Sequence, residues 1–243
     1  MDAARSPDEA QRLSKVVAAL KSCSRREAEQ YIVEGWVRVD GQRVEQPQVR
    51  VAATQRVEVD ARARLQPPVP LTLLLHKPAG ATAQEALALL GASNRWSGDA
   101  SGLRPPAGRE AGLTPLLPLP APASGLSVFS QDRGVLRKLT EEAAFIEQEL
   151  IADVQGSTGP EGLARLCHGL VRDGQALPPA RVSWQSEARL RFAVKGIAPE
   201  WVPWMCAQVG LELTALRRIR IGRVPMAGLP AGQWRCLPQG ERF

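Results

Sequence analysis

The sequence is short of the side chains most often used for catalysis and for metal binding. It has two histidines, His76 and His168, one tyrosine, Tyr31, and four cysteines, Cys23, Cys167, Cys206 and Cys236. No two cysteines fall at CxxC or metal-ligand spacing and the histidines do not complete a set with them, so neither a metal site nor a disulfide framework is expected. Isolated thiols of this kind suit a reducing cytoplasm. No run of about eighteen apolar residues occurs, which excludes a spanning helix. Met1 to Glu9 mixes acids with one arginine and has no apolar stretch, so it reads as neither signal peptide nor anchor. What is plentiful is positive charge, with a formal net charge of +6. That excess points to an anionic partner, nucleic acid ahead of membrane, since no basic amphipathic helix of the membrane-binding kind is present. A length of 243 residues allows one large core or two domains.

In the first sixty residues Leu13, Val16, Val17 and Leu20 recur at helical spacing, which predicts a helix from about Glu9 to Leu20 with Arg12 and Lys15 on its other faces. Ser24 stands at an N-cap position with Glu27 three residues on, a capping box for a second helix over Arg25 to Glu34 that Gly35 ends. Trp36 to Val39 alternates, Asp40-Gly41 is a two-residue hairpin turn, Gln42 to Glu45 is the return strand, and Arg56 to Asp60 is a further strand. The runs Arg12-Leu13-Ser14-Lys15, Ser24-Arg25-Arg26-Glu27-Ala28-Glu29 and Ile32 to Gly41 together resemble the small RNA-binding domain named after ribosomal protein S-four. Arg25 and Arg26 fall in the first turn of the second helix, where free backbone N–H groups also favour phosphate. With Ser24 at the cap, they join Arg12, Lys15 and Arg38 as the expected RNA-binding set of a domain spanning residues 9–60.

Ala61 to Pro70, with Pro67-Pro68, has the composition of a semi-rigid linker. A second domain is expected over residues 71–238. It opens with an apolar strand, Leu71 to Leu75, followed by His76-Lys77-Pro78-Ala79-Gly80, and has a second buried strand at Leu126 to Phe129 behind the Pro-rich turn that starts at Pro118. These segments, with Leu136 to Thr140, Glu147 to Val154, Gly169 to Trp184, Leu216 to Gly222 and Leu229 to Arg235, resemble the catalytic domain of the bacterial rRNA pseudouridine synthases. The resemblance implies an α+β protein: a small helix-helix-strand RNA-binding domain, then a mixed, largely antiparallel sheet flanked by helices. It implies isomerisation of uridine in ribosomal RNA without cofactor or metal. Lys77 after the first strand, and Arg217, Arg218 and Arg220 on a strand over Leu216 to Val224, are added to the expected RNA-binding set. Period-two alternation puts Arg218 and Arg220 on one face and Arg217 on the other, all reaching outward.

The family pattern at the strand mouth is Arg-Leu-Asp-x-x-Thr-x-Gly-Leu, and its aspartate is the essential nucleophile or base. Anchored on Ser124-Gly125-Leu126, that aspartate position is Pro120, the arginine is Pro118 and the threonine is Ala123. The tyrosine expected after Glu149 is Leu150, and the family's basic segment appears as Gly196 to Met205 with no arginine. No catalytic residue is therefore assigned. Asp132 belongs past the far end of the strand, which leaves Glu110 as the one acid to consider for a relocated role. Ser124 and His76 read as turn residues, and Trp201 and Trp204 as a packed helix face. Gly91 to Gly112 reads as a long loop. The favoured reading is an RNA-binding protein with impaired catalysis that acts on ribosomal RNA or in ribosome assembly. The alternatives are an active isomerase with a relocated acid, and a protein-interaction scaffold that uses the long loop.

Overall fold

The computed structural model describes residues 10–65, 70–103 and 112–243. The chain divides into two compact units, Met1–Val69 and Pro70–Phe243.

The first unit contains β1 (Gln11–Arg12), α1 (Leu13–Lys21), α2 (Arg25–Val33), β2 (Val37–Val39), β3 (Gln42–Arg43), β4 (Arg50–Val51) and β5 (Val57–Val59). Leu13 and Val17 of α1 meet Ala28 and Ile32 of α2 over Val37 of β2, and all five are fully buried. Ser22, in the left-handed conformation at φ 51°, stops α1. The capping box forms as expected: Glu27 N–H donates to Ser24 Oγ (3.2 Å) and Ser24 N–H donates to Glu27 Oε2 (2.8 Å). Asp40 (φ 52°) and Gly41 (φ 82°) make the hairpin turn, since both central positions of this turn need positive φ. Asp40 also ties the turn to β5, accepting from Arg56 N–H and Gln55 Nε2 at 2.8 Å each. These strands form a sheet in the order β3-β2-β5. The start of α1 differs from expectation. α1 starts at Leu13, because Gln11 and Arg12 are extended and pair with β4 in the register Gln11↔Val51 and Arg12↔Arg50. Two-residue strands are too short to show alternation in sequence.

The second unit contains β6 (Thr72–Lys77), α3 (Ala83–Ala88), β7 (Thr114–Leu116), β8 (Ser124–Ser130), α4 (Arg133–Glu141), β9 (Gln148–Gly156), α5 (Pro160–Cys167), β10 (Val171–Arg172), β11 (Gln175–Ala176), β12 (Arg181–Ser186), β13 (Arg189–Val194), α6 (Val202–Ala207), β14 (Leu211–Ile221), β15 (Val224–Pro225) and β16 (Trp234–Cys236). Its sheet runs β12-β13-β9-β14-β8-β6-β16, with β7 added to β8 and β15 to β14. The pairings are antiparallel except β8 with β14, which is parallel and narrow: Arg217↔Ser124 and Arg218↔Gly125. This is the mixed, largely antiparallel sheet that the resemblance implies. One core packs Leu150, Ala152 and Val154 of β9 and Phe192 of β13 beneath Val202, Met205 and Cys206 of α6. A second joins Leu73, Leu75 and Phe129 to Trp234, and a third joins Leu74, Leu126 and Val128 to Leu139 of α4.

Residues 91–103 are not the open loop that their Gly and Ser content predicts. Asp99 accepts from Arg95 Nη2 (2.7 Å), Ser101 N–H (3.0 Å) and Cys236 N–H (3.2 Å), while Trp234 Nε1 donates to Gly91 O (2.9 Å). The segment is a strap fastened to β16. Residues 104–111 of the predicted loop, including Glu110, lie outside the described residues.

Candidate functional site

The turn ahead of β8 holds the position where the family pattern requires its acid. Ala123 N–H donates to Pro120 O (3.0 Å), which closes the turn, and Gly80 N–H donates to Ala121 O (2.7 Å), which docks it against the end of β6. Lys77 fixes the same junction, donating from Nζ to Ala81 O (2.8 Å), Pro78 O (3.1 Å) and Ala121 O (3.1 Å). An ammonium has three donors, and all three are used. Lys77 is only 3% exposed, and burial, with the charge of Arg218 as a second cause, lowers its pKa.

Gly125 is the pivot of this junction. It pairs with Lys77 of β6 on one side and with Arg218 of β14 on the other. Its φ is +110°, and a Cβ there would lie 2.2 Å from Arg218 O, so only glycine allows the strands to come this close. The Arg218 side chain is fully buried. Its Nε donates to Leu126 O and its Nη1 to Gln148 Oε1, both at 2.8 Å, while Nη2 is buried without a partner. Burial pushes its pKa down to about 9, which leaves it protonated at neutral pH. Two buried cations thus flank Gly125, and their hydrogen-bond partners are carbonyl and amide oxygens, with no carboxylate among them.

Around this junction the remaining family positions are apolar. Leu119, Ala123 and Leu150 belong to one buried cluster, against which Trp201 and Trp204 pack. Arg172 covers the two indoles, 4.9 Å from the Trp201 ring and 5.7 Å from the Trp204 ring. The packed-face expectation for these tryptophans therefore describes the structure. Ser124 Oγ donates to Leu216 O (3.4 Å), and His76 Nδ1 lies 2.7 Å from Leu229 O, so neither side chain faces the other as nucleophile and base. Asp132 caps α4 at the opposite end of β8, accepting from Gly134 N–H (2.7 Å) and Val135 N–H (3.0 Å). Among the described residues, no group of three or more His, Cys, Asp or Glu side chains could hold a metal ion.

The expected outward set on β14 needs correction. Breaks in register between Leu213 and Ala215, and again between Arg218 and Arg220, interrupt the period-two pattern. Arg218 lies opposite Leu150, on the core face, whereas Arg220 lies opposite Glu149. Arg220 Nη2 donates to Glu147 Oε1 (2.6 Å) and to Glu149, which Arg191 also contacts, while Arg181 pairs with Glu147 at 2.6 Å. Hydrogen bonds from Arg220 are the main reason that both carboxyls sit below their ordinary range. Of the second-unit cations named from sequence, Lys77 and Arg218 are buried, Arg220 is neutralised by two acids, and Arg217 is exposed.

In the first unit the arrangement is the reverse. Arg12, Lys15 and Arg25 line a groove of about 420 Å³ together with Gln11, Ser14, Ala18 and Arg50. Arg25 is shared with Glu29 at 3.1 Å. Arg26 and Arg38 are exposed but do not line the groove; Arg38 Nη1 donates to Gly41 O (3.1 Å), and Ser24 is engaged in its capping box. Arg50 escaped the sequence reading because the pairing that delivers it crosses 38 residues, from Arg12 to Arg50.

The model of the S4 domain matches residues 11–57, which covers these helices, the hairpin and the groove. Across the whole chain, the Escherichia coli K12 dual-specificity RNA pseudouridine synthase RluF is 23% identical over 236 residues, spanning 97% of this chain and 78% of its own length. The chain carries an S4 domain and is homologous to the rRNA pseudouridine synthases. Further homologues include the Bacillus subtilis ribosomal large subunit pseudouridine synthase B, 26% identical with 95% of this chain and 93% of that protein covered. The putative chloroplastic ribosomal large subunit pseudouridine synthase SVR1 of Arabidopsis thaliana is 28% identical, covering 96% of this chain and 60% of its own. The fold of a solved pseudouridylate synthase matches at a TM-score of 0.58 and 17% identity, over 94% of this chain and 96% of the other. In this pseudouridine synthase homologue, no helix among the described residues is long and apolar enough to cross a membrane.

Proposed function

We propose that this chain is an RNA-binding relative of the rRNA pseudouridine synthases with impaired isomerase chemistry, acting on ribosomal RNA or in ribosome assembly. The observation that carries this reading is Pro120. The reaction needs a carboxylate as nucleophile or base against a uridine flipped out of its stack, and proline has no ionisable side chain. Its surroundings agree: Lys77 and Arg218 are buried with only carbonyl and amide oxygens as hydrogen-bond partners, and Leu119, Ala123 and Leu150 pack as core. Loss of the key group at such a site commonly lowers the rate by several orders of magnitude. The RNA-binding part of the reading rests on the cationic groove of the S4 domain and on the similarity to RNA pseudouridine synthases.

A second reading, an active synthase with a relocated acid, is favoured by homology to named synthases over 95–97% of the chain. Glu110 is its candidate acid. Incubation of the purified chain with unmodified rRNA, followed by mapping of pseudouridine, separates the two. The first reading predicts salt-dependent RNA binding with no turnover. Robust turnover that Glu110→Ala abolishes would establish the second.

A further inference from the structure

One face of β12, β13, β9 and β14 carries a charge series that does not close. Val182, Phe192 and Leu150 point into the core. Period two therefore sends Arg181, Ser183, Arg191, Ala193 and Glu149 to the opposite face. There Arg181 Nη2 donates to Glu147 Oε2 (2.6 Å), Arg220 Nη2 donates to Glu147 Oε1 (2.6 Å) and to Glu149 Oε1, and Arg191 Nη2 donates to the same Glu149 oxygen. The series runs Arg181, Glu147, Arg220, Glu149, Arg191, alternating in sign with an arginine at each end. Its carboxylates are sheltered, with side-chain exposures of 19% for Glu147 and 8% for Glu149, whereas the terminal arginines stand open at 79% and 44%. Three guanidinia against two carboxylates leave one positive charge uncompensated.

Strand register brings the two ends together. Arg181 pairs with Ala193 and Ser183 pairs with Arg191, so the arginines are diagonal neighbours and two small residues take the other corners. The short side chains leave a hollow of about 270 Å³, lined by both terminal arginines, Ser183, Ala193 and the rest of the series. Each terminal arginine bonds through Nη2 alone, which leaves its Nε and Nη1 without a partner among the described residues. Ser183 Oγ accepts from Gln185 Nε2 (3.2 Å), and its own O–H is unspent. Both donors to Glu149 use Oε1, so Oε2 is the one carboxylate oxygen of the series with no donor among the described residues.

We propose that this hollow is a phosphate site, which takes a singly charged, still protonated phosphate group, either the free ion or a monoester. Arg181, Arg191 and the Ser183 hydroxyl donate to its oxygens, and its P–OH donates to Glu149 Oε2. Guanidinium forks match phosphate geometry, and one negative charge placed between the two terminal arginines completes the alternation. The site uses neither the S4 groove nor any isomerase chemistry.

The test is calorimetric titration of the full chain with inorganic phosphate, uridine 5′-monophosphate and sulfate near pH 6. Glu147 and Glu149, held below their ordinary range, are ionised there, and a phosphate monoester is about half protonated. Sulfate carries no proton to give Glu149 and is expected to bind about tenfold more weakly than phosphate. Arg181→Gln removes one charge-assisted bond from an exposed position and is expected to weaken phosphate by about tenfold. Ala193→Val keeps every charge, fills the hollow with a residue that suits a strand, and is expected to abolish binding. Arg189→Gln, on the same strand but paired with Asp153 outside the hollow, is expected to change nothing. Unchanged melting of each variant without phosphate shows that the fold is intact. Tighter binding of the monophosphate marks a monoester as the ligand, and tighter binding of inorganic phosphate marks the free ion; either supports the site. Phosphate binding that survives both Arg181→Gln and Ala193→Val overturns the proposal by placing the ion elsewhere. Sulfate that binds as tightly as phosphate, or a wild type that binds no phosphate, overturns it as well.

Discussion

Replacing Arg218 and Gln148 together by methionine is expected to leave the second unit as stable as the wild type or more so. The Arg218 guanidinium is fully buried, remains charged at neutral pH, and has Nη2 unsatisfied. Stripping water from such a charge costs several kcal/mol. Against this stand two charge-assisted hydrogen bonds, to Leu126 O and Gln148 Oε1, each contributing about 1.5–3 kcal/mol. The terms nearly offset. Arg218→Met alone removes the charge but leaves the Gln148 amide, 5% exposed, without its donor, at a cost of about 1–3 kcal/mol. The double variant removes the guanidinium and the Gln148 amide together, leaves only Leu126 O without its Arg218 donor, and fills the space with side chains of adaptable shape. Arg218→Ala, which adds a cavity, is expected to lose about 3–5 kcal/mol. Urea denaturation followed by tryptophan fluorescence reads the effect, since five of the six tryptophans lie in the second unit. A double variant that falls about 3 kcal/mol or more below wild type would refute the reasoning, because the buried charge would then be a net stabiliser.

Gly125→Ala is expected to cost about 3 kcal/mol or more, since the new methyl meets Arg218 backbone at 2.2 Å and φ is +110°; a melting temperature within about 2 °C of wild type would contradict the close approach. Asp99 is buried, which alone would raise its pKa, but hydrogen bonds from Ser101, Arg95 and Cys236 N–H outweigh that and hold it below its usual value. Because the folded pKa is depressed, its contribution is complete above about pH 4 and is lost as pH falls through the folded value. Hydrogen exchange at Trp96 and Cys236 should therefore stay slow at pH 5, and Asp99→Asn should speed it at that pH; equal protection in the variant would show that the strap does not depend on the carboxylate.

Local signals in the sequence carried much of the fold. Ser24 with Glu27, and Asp40 with Gly41, act within a few residues, and each formed the cap or turn that its chemistry requires. Apolar runs likewise located β6 and β8, with ends that moved by one or two residues. Partners far apart were not legible. The acids that neutralise Arg220 lie 71 and 73 positions away, and the β14 register breaks that turn Arg218 inward leave no periodic trace. The strap at Asp99 was hidden for a different reason. Its residues favour turns, and only their long-range hydrogen bonds to β16 give them order. At the candidate site, the absence of an acid at position 120 was readable from the sequence, but the two buried cations beside it were not.

The place of β16 in the sheet also bears on how the chain is made. β6 pairs with β8 on one side and with β16 on the other, yet β16 follows it by more than 150 residues. During synthesis from the N-terminus, Leu73, Leu74 and Leu75 therefore present an unpaired apolar edge until Trp234–Cys236 emerges. At about 5–20 residues per second that interval is roughly 10–30 s, long enough for a chaperone to be needed on a strand edge that the finished protein covers.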